Sequence, residues 1–221
     1  MVLAIISLIV SSVVALAVIY RAFIHDHFFR PDLQIGFSLE EPISRETLVE
    51  WPIGLPQIPG RYKKAFWPRL RITNKGRSVA RRCEGILAEV RNPDGSLNKR
   101  YDPLTLRWAI APIDRGLQPL DIARNRVVDL NTFTTFEGER NAHFATHRDP
   151  RGVPLFLEPG DYWLCIVIYG DNFKPVKRGY AIRWDGQHYR QGVAMQEMND
   201  KPSSMIAWPW KIIEEAEGKV D

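Results

Sequence analysis

Hydrophobic and polar positions alternate along much of the chain after residue 33. In "LQIGFSLE", Leu33, Ile35, Phe37 and Leu39 fall on one side and Gln34, Gly36, Ser38 and Glu40 on the other. Period two is the pattern of a half-buried strand. "WPRLRITN" sets Leu70 and Ile72 opposite Arg69, Arg71 and Thr73, and "CEGILAEV" sets Ile86, Ala88 and Val90 on one side. "LRWAI", "RVVDLN", "LFLEPGDYWLCIVIYG" and "GYAIRW" read as further strands. Turn chemistry separates them at Asn74-Lys75-Gly76, Asn92-Pro93-Asp94-Gly95 and Pro159-Gly160-Asp161,. No long segment carries a 3.6-residue period, and only the tail "WPWKIIEEAEG" predicts a short helix, after Pro209. About six to eight short strands between turns predict a mainly β protein, an antiparallel sandwich.

Residues Tyr162 to Tyr169 are apolar on both faces, which predicts a central strand,. "PGDYWL" before that strand resembles the Pro-Gly-x-Tyr step of immunoglobulin-like and fibronectin-like sandwiches. "ITNKGRSVARRC" resembles the Asn-x-Gly-x-x-x-Ala stretch of bacterial and archaeal immunoglobulin-like modules, including adhesion-related ones. The resemblance covers two short segments and implies a fold, not an activity. One spacing departs from it. Tyr162 precedes Cys165 by three residues rather than two, so the two point oppositely. A Cys83–Cys165 disulfide is the minority reading beside two separately packed thiols.

Ahead of the strands, Val2 to Tyr20 is a run of 19 residues without charge. A membrane-spanning helix needs ~20. The expected organisation is a transmembrane anchor over 1–23, a juxtamembrane neck over 24–32, the sandwich over 33–200 and a tail over 201–221. A signal peptide cleaved near Ala15-Leu16-Ala17 is the rival, but no basic residue precedes the apolar run,. Arg21 and Arg30 follow the run, so the positive-inside rule places the body in the cytoplasm,. An exported body is the alternative.

A hydrophobic share of 45% and a charged share of 25% are those of a globular chain, not a disordered one,. No phosphate-loop, dinucleotide, nucleophile-elbow, zinc-protease or paired-cysteine motif occurs, and no cofactor is expected,. Ser96 and Lys99 have a Ser-x-x-Lys spacing but follow a turn. His25 and His27 fall in the neck, among Phe23, Phe28 and Phe29. His143 and His147 have the i,i+4 spacing of a metal pair, near Asp149, within a stretch that reads as an exposed loop,. Glu158, Asp161, Asp171 and Asp185 flank the last strands, where loop carboxylates can hold calcium, but no calcium-loop spacing occurs and Asp161 and Asp185 read as turn formers,.

The remaining feature is charge. From Trp51 to Cys83 there is no acidic residue, against nine basic ones: Arg61, Lys63, Lys64, Arg69, Arg71, Lys75, Arg77, Arg81 and Arg82. Trp67, Arg69 and Arg71 share a strand face. The first reading is a solvated face partly paired with acids elsewhere, such as Glu84, Glu89, Glu214, Glu215 and Glu217. The second is contact with anionic lipid headgroups, which suit a tethered basic surface. A net charge of only +4 makes nucleic acid a poor partner,. Trp51, Trp208 and Trp210 are candidate protein contacts,. The expected function is a membrane-anchored, non-catalytic binding or scaffold module. The alternatives are a small metal-dependent hydrolase using His143 and His147, and an exported envelope accessory protein.

Overall fold

A computed structural model describes residues 7, 10–21, 29–50, 62–109, 116–146 and 155–198. The strands are β1 (Leu33–Ser38), β2 (Arg45–Glu50), β3 (Tyr62–Trp67), β4 (Arg69–Asn74), β5 (Ala80–Arg91), β6 (Leu104–Leu106) and β7 (Leu120–Ile122). They continue with β8 (Val127–Asn131), β9 (Phe133–Phe136), β10 (Ala142–Phe144), β11 (Phe156–Leu157), β12 (Gly160–Tyr169), β13 (Val176–Trp184) and β14 (Val193–Glu197). The protein is mainly β, in three antiparallel sheets. A small sheet runs β1-β4-β8, a second β11-β10-β9-β3-β2, and the largest β14-β13-β12-β5-β6 with β7 also on β5.

There are more strands than alternation predicted. β10 and β11 have three and two residues, too few to show a period, and β9 is buried at all four positions. The stretch holding His143, expected as an exposed loop, is therefore partly strand.

The small and large sheets meet face to face. Leu33, Ile35, Leu70, Ile72, Val128 and Leu130 from the first join Leu87, Val90, Leu164, Ile166, Ile168 and Tyr180 from the second in one buried cluster. Each such side chain, fully buried, stabilises by ~1.5–3 kcal/mol. The approach is close: a Cβ on Gly85 of β5 would overlap the Leu130 side chain of β8. Phe37 and Tyr180 meet edge-on across the same gap, with centroids 5.8 Å apart.

β12 lies between β13 and β5, as its two apolar faces predict. Its inner face feeds the core. Its outer face forms a second cluster of Trp163, Cys165, Val167 and Ala181, packed by Ala88, Ala194 and Met198. Trp163 donates its indole N–H to the Met198 carbonyl at 2.9 Å. The expected grouping of Ile86, Ala88 and Val90 does not hold. The register with β12 slips between Cys165 and Ile166, so Leu87 and Val90 both face the core while Ala88 lies on the outer side. The extra residue of a β-bulge resets the alternation. Cys83 belongs to the inner cluster and Cys165 to the outer, and no disulfide joins them.

Residues 10–21 are helical and exposed throughout. Among the described residues no helix is long and apolar enough to cross a membrane. The predicted span begins in residues 2–6, which lie outside the described residues.

Candidate functional site

The first strand begins where the neck ends, and the antiparallel registers fix what surrounds that point. Leu33 of β1 pairs with Asn74 of β4, and Thr73 pairs with Val127 of β8. Ala80 of β5 pairs with Ile122, and Ile168 of β12 with Val176. Residues 29–32 and the turns 75–79, 123–126 and 170–175 therefore gather at one end of the two facing sheets.

Asn74 organises this end. It is wholly buried. Its side-chain amide donates to the carbonyls of Ser78 (2.7 Å) and Ile122 (2.9 Å). Its side-chain oxygen accepts from the N–H groups of Gly76 (3.0 Å) and Asp32 (3.3 Å). One asparagine thus uses both donors and both lone pairs to tie neck, turn and β7 together. The neck is also held by its backbone: Lys75 N–H donates to Asp32 O at 2.7 Å and Arg77 N–H to Arg30 O at 3.4 Å. Gly76 permits this approach, since a Cβ there would overlap the backbone of Arg30, Pro31 and Asp32. The Asn-Lys-Gly turn is a clamp on the neck as well as a chain reversal. Asn172 does similar work beside it, accepting from Arg81 N–H at 3.0 Å and donating to Val79 O at 2.8 Å.

The charges divide along this geometry. Lys63 pairs with Glu139 at 3.0 Å and Arg71 with Asp129 at 3.2 Å. Arg69 donates to the Asn131 side chain at 2.8 Å. Burial, together with the Arg45 and Arg107 charges and against that of Asp129, lowers its pKa. Arg107 lies over the Trp67 ring at 5.6 Å, and burial lowers its pKa too. Lys64 is exposed on β3, away from the neck. Lys75, Arg77, Arg81 and Arg82 sit at the neck end, all exposed. Arg61 lies outside the described residues. The single basic stripe expected from sequence is therefore divided: Lys63, Arg69 and Arg71 are engaged on strand faces, Lys64 is exposed on β3, and Lys75, Arg77, Arg81 and Arg82 are displayed on the turn after β4 and the irregular start of β5.

The turn population has members that the sequence stretch did not contain. Arg30, Arg124, Arg126 and Lys174 are exposed at the same end. Asn125 N–H donates to Asn74 O, and Arg126 O accepts from Asn74 N–H, which brings the 124–126 turn beside the clamp. Against these eight cations stand Asp32, Asp121 and Asp171, giving this end more positive charge than the whole chain's net of +4. Among the described residues none of the eight makes an ion pair. Arg81 and Arg82 are presented by a register shift in β5 between Ala80 and Cys83. Arg82 takes a left-handed conformation there (φ 50°) and donates its N–H to Asp121 at 2.8 Å. Just below, the Cys83 thiol is pushed up to about 12 by burial and by the Asp121 charge, and stays protonated,.

The other candidates do not join this site. His143 bonds Glu139 at 3.0 Å, the carboxylate that also holds Lys63. No group of three metal-ligating side chains occurs among the described residues. Ser96 donates its hydroxyl to Asp94 within its turn. Asp161 pairs with Arg183 at 2.9 Å and Glu158 with Arg100 at 3.5 Å. Asp185 accepts from the N–H groups of Gln187 and His188, a turn role. Of the four carboxylates near the last strands, only Asp171 belongs to the neck end. His25, His27, His147, Trp51, Trp208 and Trp210 lie outside the described residues.

Comparison with family models, with curated proteins and with solved structures returns no match.

Proposed function

We propose that the chain is a membrane-anchored, non-catalytic binding module whose neck end faces an anionic membrane surface. The observation that carries this is the coincidence of three features at one place. The uncharged N-terminal run leads into the neck, Asn74 and Gly76 lock the neck to the body, and the exposed arginines and lysines surround it. A tether brings those charges within a Debye length of the headgroups, where each adds ~1 kcal/mol of attraction. The body is read as an immunoglobulin-like sandwich, supported by two sheets facing across one core. The five-stranded sheet is an addition to the simple form. A cytoplasmic orientation agrees with the basic residues after the run. The exported alternative drew on a Cys83–Cys165 bridge, and those two residues lie on opposite faces of the large sheet with no disulfide between them.

The test is extraction and topology of the full chain. Membranes washed with alkaline carbonate should retain it, a chain lacking residues 1–23 should wash off, and protease added to sealed cells should leave the body intact. Release of the full chain by carbonate would end the anchor reading. Digestion of the body in sealed cells would reverse the orientation.

A further inference from the structure

A cavity of ≈ 610 Å³ opens between the neck and the turn after β12. That lies within the ~300–1,000 Å³ range of small-molecule sites. Its lining is mixed in a particular way. Leu33, Phe173 and Val176 supply apolar wall, Arg30 and Lys174 carry positive charge, and Asp32 and Asp171 carry negative charge. Among the described residues no ion pair joins these four to one another or to a neighbour. Ser78 also lines the cavity, and its hydroxyl is buried without a hydrogen-bond partner.

We infer that this cavity binds a zwitterionic phosphate ester, a phosphate and a primary ammonium joined by a short linker, as in a glycerophosphoethanolamine headgroup. Arg30 and Lys174 take the phosphate. Asp32 and Asp171 take the ammonium, and the apolar wall takes the carbon skeleton. A plain phosphate would meet two uncompensated carboxylates and a plain amine two uncompensated cations. Only a ligand with both charges satisfies the set. The neck position makes a lipid headgroup one source, and that part rests on the membrane reading. A soluble ester is the other source.

The test uses the full chain in detergent micelles, titrated by calorimetry with glycerophosphoethanolamine, glycerol 3-phosphate and ethanolamine. The first should bind about tenfold more tightly than either half-ligand, the loss expected when one charge-assisted contact is missing. Asp32→Asn and Lys174→Gln are exposed changes that leave thermal unfolding in place, and each should weaken binding by about tenfold. Equal binding of the three probes, no binding of the first, or indifference to both variants overturns the proposal. Nanodiscs of phosphatidylethanolamine against phosphatidylglycerol then separate the sources. Slower amide exchange over 171–176 in the former identifies lipid, and protection by the soluble ester alone identifies a free metabolite. If the chain fails to enter nanodiscs, the anchor reading falls while the soluble titration still decides the cavity.

Discussion

Two halves of one arginine-rich stretch behave differently. From Lys63 to Arg71 three of the four basic side chains sit on strands beside an acceptor, Lys63 on Glu139, Arg69 on Asn131 and Arg71 on Asp129, while Lys64 is exposed on β3. From Lys75 to Arg82 they sit on turns and a bulge, exposed and without an ion pair. The composition is nearly the same. What differs is the backbone that carries it. A strand in a sheet gives every side chain a cross-strand neighbour at fixed distance, so a charge there meets a partner. A turn points its side chains away from the ladder, and among the described residues no carboxylate pairs with them. Charge on strands contributes to stability, and charge on turns is left for something outside the chain.

That contrast can be broken at its hinge. Asn74→Ala removes four hydrogen bonds from a buried site and orphans two carbonyls and two N–H groups, at a cost of about 3 kcal/mol or more,. Urea unfolding should show it as a lower midpoint, and amide exchange at Gly76 and Asp32 should quicken. Gly76→Ala should cost about 1–3 kcal/mol, because the new methyl meets backbone that cannot step aside without leaving the clamp,. Thermal unfolding that matches the parent chain would refute the clamp.

The halves themselves are compared by single substitutions. Arg71→Ala should lower stability by roughly 0.5–1 kcal/mol, its pair with Asp129 being partly shielded,. Arg77→Ala should change stability by less than about 0.5 kcal/mol. On vesicles containing phosphatidylserine the order should invert. Loss of Arg77 should weaken binding by about fivefold, an effect fading as salt rises, while loss of Arg71 should leave binding unchanged. Equal effects on binding would erase the distinction. One expected change is a gain: Arg82→Gly relieves a left-handed backbone and should stabilise by about 0.5–1 kcal/mol, read as a modest rise in melting temperature,.

Sequence reasoning reached the strands that alternate. Leu33–Ser38, Arg69–Asn74 and Val127–Asn131 are strands where the pattern put them, and Tyr162–Tyr169 lies in a central one. It missed the segments where period and length fail, such as Phe133–Phe136, buried at every position, and Ala142–Phe144, three residues long. It also read Ala88 and Val90 as neighbours on one face, because a bulge leaves no mark in a hydropathy pattern. At the site, the charge run was visible but its division was not. Whether Arg71 finds Asp129 or Arg77 finds nothing depends on pairings between residues far apart in the chain. Asn74 and Gly76 were legible as a turn. Their grip on Asp32, 42 residues earlier, was not. Arg124, Arg126 and Lys174 carried no local signal at all, and only the registers of β8 and β13 bring them to the neck.

The grip on the neck has a mechanical meaning. β1 follows directly from residues 30–32 and runs antiparallel to β4 over six paired positions. Tension applied to the chain ahead of Leu33, along the strand axis, loads those ladder bonds together in shear instead of opening them one at a time. The Lys75–Asp32 and Arg77–Arg30 bonds take the first share of that load. A body hung from this point would keep its orientation under drag or crowding, and would be expected to rupture at a force set by the whole β1–β4 seam.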